Sequence, residues 1–207
     1  MSCCHHPRAA WLLTDARLAG HGVAAARRLR PGSIIILRSD DLDARARSTL
    51  ARQLKRIARA RRLALFVAGM SAARAQQIGA DGVHLRSRSA QDASVARRHG
   101  LAVSAPVHNR AEARAAAAAH IDYALISPMF ATRSHPGART LPMRQFIRLA
   151  LMAGAHPVAL GGMGPARHRK LQLLGAASGI QSGWAAIDAW ETGPSARTRQ
   201  KRNCVPT

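Results

Sequence analysis

The sequence predicts one α/β domain folded as a single (β/α)8 barrel of the TIM type, followed by a disordered basic C-terminal tail. Three observations predict it. Eight short apolar runs alternate with stretches of helical periodicity along the chain. Several of those runs are apolar throughout, Ile34-Ile35-Ile36-Leu37 most plainly, as strands covered on both faces are. Their carboxyl ends carry the polar and glycine-rich residues, which is where such a barrel keeps its chemistry.

Trp11 to Thr14 reads as the first strand and Ser33 to Leu37 as the second. Leu42, Ala46, Leu50, Leu54 and Ile57 then recur at helical spacing. Asp40, Asp41 and Asp43 stand at that helix's start, and Arg59, Arg61 and Arg62 at its end, matching the helix dipole at both termini. Leu63 to Ala68 is the third strand, Gly82 to Leu85 the fourth and Leu101 to Val107 the fifth. Asn109 and Glu112 form a capping box that opens a helix through the alanine run 115–119. Ala124 to Ser127 is the sixth strand, followed by a long polar loop from Ala131 to Leu141. Val158 to Leu160 is the seventh strand, and Gly164-Pro165 starts the helix after it. Trp184 to Ile187 is the eighth strand. Gly79, Gly100 and Gly175 fall where helices are expected to stop.

The expected organisation is an N-terminal tail over 1–8, the barrel over 9–191 and the basic tail over 192–207. A chain of 207 residues carries one sizeable core and is short for an eightfold barrel. With 47% apolar and 3% aromatic residues, that core is built from Ala, Leu, Val and Ile. No apolar run is long enough to cross a membrane, and the N-terminus lacks the apolar stretch of a signal peptide, so a cytoplasmic protein is expected. Cys3, Cys4 and Cys204 lie in the two tails and form no disulfide framework. The formal net charge is +22, and 29 of the 32 basic residues are Arg. Such a field favours anionic ligands. The arginines are scattered rather than striped and are not interleaved with aromatics, so a nucleic-acid partner is not expected.

Five segments in order give the chain a resemblance. They are Leu13-Thr14-Asp15, Ala80-Asp81-Gly82-Val83-His84-Leu85, Phe130-Ala131-Thr132-Arg133-Ser134-His135, Ala159-Leu160-Gly161-Gly162-Met163 and Gly183-Trp184-Ala185-Ala186-Ile187-Asp188-Ala189. Together, over about Trp11 to Trp190, the chain resembles the thiamine phosphate synthase and thiazole tautomerase family. The resemblance implies the coupling of a pyrimidine methyl diphosphate to a thiazole phosphate. It also implies Mg²⁺ and cationic groups to stabilise the departing diphosphate.

The chain departs from that pattern where the metal is expected. Arg38 is kept after the second strand, but the family's glutamine and lysine beside it are Ile36 and Asp40. The third tip, where the family places one magnesium carboxylate, reads Ala68-Gly69-Met70-Ser71. The fourth, with the second carboxylate, reads His84-Leu85-Arg86-Ser87-Arg88-Ser89. The family's diphosphate lysine is His135, and its serine near the eighth strand is Asp188. No metal ligands are therefore expected, and impaired coupling follows.

What persists is a phosphate cradle. Gly161 and Gly162 ahead of a helix start can present backbone N–H groups to an anion. Arg38, Thr132 and Ser134 complete the expected phosphate-binding set, and Arg86, Arg88 and Arg133 can supply part of a metal's charge. His108, in Pro106-Val107-His108, stands where the tautomerase branch carries its proton shuttle and is the candidate catalytic residue. His84 is expected to be hydrogen-bonded and structural, and Met70 and Met163 to pack. The expected partner is a phosphorylated small molecule of the thiazole phosphate or pyrimidine diphosphate type. A homo-oligomer is left open. The alternatives are a tautomerase-like enzyme, a non-catalytic barrel binding a phosphorylated metabolite, and a polyanion binder acting through Arg197 to Arg202.

Overall fold

A computed structural model describes residues 9–15, 22–38, 41–86, 90–131 and 139–190. The two tails, with Cys3, Cys4 and Cys204, lie outside the described residues, as do Asp40, Arg88, Thr132, Arg133, Ser134 and His135.

Eight parallel strands close into a barrel in sequence order. They are β1 (Ala10–Leu13), β2 (Ile34–Leu37), β3 (Ala64–Ala68), β4 (Gly82–His84), β5 (Ala102–Val107), β6 (Tyr123–Ile126), β7 (His156–Leu160) and β8 (Gly183–Ala186). Seven α-helices alternate with them: α1 (Gly22–Arg28), α2 (Ala44–Arg61), α3 (Ala72–Ile78), α4 (Ala90–Arg98), α5 (Arg110–Ala118), α6 (Met143–Ala153) and α7 (Pro165–Gly175). All eight expected strands are present, each within one or two residues at either end.

Alternation along the strands divides the core in two. Trp11, Leu13, Ile34, Ile36, Phe66, Leu125 and Val158 fill the barrel interior. Leu12, Ile35, Leu37, Leu65, Val67 and Ile126 pack outward against the helices. The interior holds a tight aromatic layer, with Trp11 and Tyr123 centroids 5.0 Å apart and Trp11 and Phe66 5.4 Å apart. Gly82 pairs with Phe66 in the sheet, and a Cβ at position 82 would stand 2.4 Å from the ring. Glycine there makes the room for Phe66. Gly82→Ala is expected to cost about 1–3 kcal/mol by overpacking and to lower Tm by roughly 3–9 °C. An unchanged melting curve would contradict this packing.

Helix ends follow their local chemistry, with three departures. Asp43 caps α2 by accepting from Ala46 N at 2.8 Å, and Gly79 ends α3 in the left-handed region at φ 75°. α7 stops at Gly175 as expected, but without a left-handed residue there: its φ of −79° leads into a 3-10 turn, and the left-handed residue is Gly179. At the end of α2 it is Arg62, not a glycine, that adopts φ 56°. Asn109 caps α5 by accepting from Glu112 N at 2.9 Å, but the Glu112 carboxylate returns to His108 N at 2.6 Å rather than to Asn109. The box therefore grips the residue before the cap.

Candidate functional site

The carboxyl ends of the strands gather most of the sequence-predicted residues around one mouth. At β1, the buried Thr14 hydroxyl accepts from Arg38 N at 3.0 Å and donates to Ile36 O at 3.4 Å. This clamp fixes the end of β2 and presents the exposed Arg38 side chain at the rim.

His84 ends β4 in register with Ala68 and Ser104. Ala68 belongs to the interior cluster, so His84 and Ser104 share the inner face at the mouth. The Ser104 hydroxyl donates to Val83 O at 3.3 Å and stands 3.0 Å from His84 Nδ1. With that proton committed, Nδ1–H donates to Ser104 Oγ, and Nε2 carries the lone pair. Burial, and then the Arg38 guanidinium, push the imidazole down from 6.5 to about 4. His84 is neutral at neutral pH, as a hydrogen-bonded interior histidine should be.

The linkage has a definite sign. The unfolded chain takes up the His84 proton below about pH 6.5, whereas the folded chain resists until about pH 4. Stability from this group is full above that window and falls as the pH is lowered through it, by about 3 kcal/mol at most. Thermal melts between pH 7 and 4 should show Tm falling, and His84→Asn should flatten the slope. An equal slope in the variant would contradict the assignment.

His108 follows β5. Its Nδ1 lies 3.0 Å from Ser127 O and 3.1 Å from Ser127 Oγ. A carbonyl oxygen can only accept, so Nδ1 carries the proton and Nε2 is the basic nitrogen. Glu112 holds the backbone of the same residue. The imidazole is thus oriented from two sides at an exposed position on the rim.

Gly161 and Gly162 follow β7 with φ of 94° and 60°. The loop after β6 presses on them: a Cβ at 161 would stand 2.9 Å from Pro128 Cα, and one at 162 would stand 2.7 Å from Ala131 O. Met129 N donates to Leu160 O at 2.9 Å and Phe130 N to Gly161 O at 3.1 Å, joining the loop to the pair. Arg167 donates to Gly162 O and lies over the Phe130 ring at 4.7 Å. Gly164 then caps α7 without a side-chain hydrogen bond, and Pro165 opens the helix. Backbone N–H groups of an uncapped helix start, held by rigid neighbours, suit a phosphate. Thr132 and Ser134, expected beside this cradle, lie outside the described residues.

A cavity of about 340 Å³ opens at the tips of β3 and β4, lined by Gly69, Met70, Ser71, His84, Arg86 and Asp92 among others. Arg86 approaches the Gly69 backbone there, and so does Arg47 from α2. Among the described residues no three His, Cys, Asp or Glu side chains group to hold a metal ion. A thioether, a hydroxyl, an imidazole, a guanidinium and one carboxylate, with a second guanidinium beside Gly69, are a poor donor set for magnesium, which wants several hard oxygens. Met163 is buried in the core, and Met70 packs partly against it. Arg47, Ser104 and Asp92 escape the sequence reading. Nothing local in the sequence singles out Arg47, one arginine among several on α2.

The chain matches the sequence model of the thiamine monophosphate synthase family over residues 12–187. It is 36% identical over 154 residues to the thiamine-phosphate synthase of Chromobacterium violaceum, covering 73% of this chain and 72% of that one. Its fold superposes on thiamine phosphate pyrophosphorylase from Pyrococcus furiosus with a TM-score of 0.74 at 21% identity, covering 96% of each chain. An HpcH/HpaI aldolase/citrate lyase family protein from Burkholderia cenocepacia shares the barrel more distantly, with a TM-score of 0.60 at 16% identity over 95% of this chain and 93% of that one.

Proposed function

The chain belongs to the thiamine monophosphate synthase family, and from that premise we propose that it joins a pyrimidine methyl diphosphate to a thiazole phosphate in the cytoplasm. The thiazole nitrogen supplies the electron pair for the new carbon–nitrogen bond at the pyrimidine methylene. The carbon–oxygen bond breaks with its pair going to pyrophosphate, and the ring nitrogen keeps the positive charge.

The observation that carries this reading is the cradle at Gly161, Gly162 and the uncapped start of α7. It supports a seat for the thiazole phosphate, with Thr132 and Ser134 as hydroxyl donors. This reading takes Arg38, exposed after β2, and Arg86, exposed after β4, as the cationic partners of the diphosphate. His108, oriented through Nδ1, offers Nε2; when protonated, that nitrogen donates to a phosphoryl oxygen of the leaving group. His84 stays neutral and holds an acceptor in the mouth. The relative at 36% identity is a thiamine-phosphate synthase, which favours coupling over a tautomerase or a purely binding barrel.

The donor set at β3 and β4 supports turnover that does not depend on magnesium and is slower than metal-assisted coupling. In the test, purified protein is incubated with both substrates, and thiamine phosphate and pyrophosphate are quantified by mass spectrometry. The expected result is equal amounts of the two products, formed in proportion to enzyme. No product above the protein-free control would reject the reading. No helix among the described residues is long and apolar enough to cross a membrane.

A further inference from the structure

We propose that the rim between β3 and β4 is an oxyanion site in which Arg47 and Arg86 hold a phosphoryl group without a metal ion. Gly69 leaves β3 at φ 62°, and the point where its Cβ would lie is 2.9 Å from Arg86 Nη2 and 3.1 Å from Arg47 Nη2. Two guanidiniums from separate elements, α2 and the turn after β4, therefore converge on one spot. Arg47 is anchored there by donating to Ala68 O.

Like charges this close repel. An anion between them is attracted by both, whereas a divalent cation is repelled by both. Guanidiniums are suited to this task because their planar forks match phosphoryl oxygens in pairs. Ser71 lines the same cavity; its Oγ accepts from Arg74 N at 3.3 Å, which leaves its proton to donate. The cavity, at about 340 Å³, is within the range of small-ligand sites. Asp92 also lines it and offsets part of the positive charge. A side chain at position 69 would be strained at φ 62° and would push the ends of Arg86 and Arg47 aside.

The ligand class is a mono- or diphosphate, and a diphosphate spans both arginines better. That choice rests on the coupling reading above, in which a diphosphate is the leaving group. Calorimetric titration of the full chain with inorganic pyrophosphate, in excess EDTA at about 0.15 M ionic strength, tests the site. One pyrophosphate per chain is expected to bind, more tightly than inorganic phosphate. Arg47→Gln and Arg86→Gln should each weaken it about tenfold or more, while Arg59→Gln, at the far end of α2, should leave it unchanged. Asp92→Asn, a second kind of variant, should tighten it.

The site is overturned if pyrophosphate binds only after Mg²⁺ is added, if neither arginine variant weakens binding, or if Asp92→Asn weakens it. The two readings fail separately. Metal-free pyrophosphate binding through these arginines with no coupling product keeps the site and rejects the synthase reading. Coupling with strictly Mg²⁺-dependent pyrophosphate binding does the reverse.

Discussion

Gly162→Ala is expected to lower coupling by about 100-fold, because displacing a phosphate seat by about 1 Å has that scale of effect on a positioned reaction. The residue adopts φ 60°, where an L side chain is strained. Its new Cβ would also stand 2.7 Å from Ala131 O, 2.9 Å from Phe130 Cβ and 3.0 Å from Arg167 Nη1. Two of those three atoms belong to the loop after β6, so the strain is relieved by moving that loop off β7. The third is the side chain that pins Gly162 O and covers Phe130. The cradle and the loop carrying Thr132 and Ser134 should therefore move apart together. Steady-state rates with varied thiazole phosphate check this: KM for that substrate should rise and kcat should fall. A variant with wild-type kinetics would remove the pair from the site.

Arg38→Gln should have a comparable effect, a loss of about 10²–10³-fold in coupling, the scale seen when one preorganised partner of developing charge is removed. Its backbone hydrogen bond to Thr14 does not involve the side chain, so the end of β2 should stay in place. The same substitution carries a second, independent readout. Arg38 is one of the two causes that hold His84 down to about 4, burial being the larger. Without the guanidinium, the imidazole should titrate at a higher pH, though still below its ordinary value. Imidazole NMR shifts against pH report this directly. Lost coupling with an unmoved His84 titration would place Arg38 away from the mouth interior.

Much of this architecture is legible from residue patterns, for identifiable reasons. A run such as Ile34-Ile35-Ile36 has few homes other than a strand covered on both faces, and it pairs along β1 and β3 as such a strand must. Gly164-Pro165 encodes a helix start locally, because proline at the first helical position lacks only a hydrogen that has no partner there. The stop of α7 is different. Gly175 tolerates right-handed geometry as readily as left-handed, so its presence alone could not say which it adopts. Arg62 in the left-handed region has a tertiary tie: its carbonyl accepts from Gly32 N, just ahead of the neighbouring strand β2.

The site is legible in part. Gly161-Gly162, Arg38 and His108 lie at the mouth as their sequence positions imply. The grip of Glu112 on His108 looks like ordinary capping in one dimension and becomes a positioning contact only in three. Arg47 is hidden for the same reason. In sequence it is one arginine among many on an amphipathic helix, and only closure of the barrel brings it beside Arg86.

Under the proposed coupling, cationic side chains do the work at this mouth that a metal ion would otherwise do. The most direct measurement compares the initial rate of thiamine phosphate formation in millimolar Mg²⁺ with that in excess EDTA, at matched ionic strength. The same slow rate is expected in both. Product formed with Mg²⁺ and abolished by the chelator would contradict it.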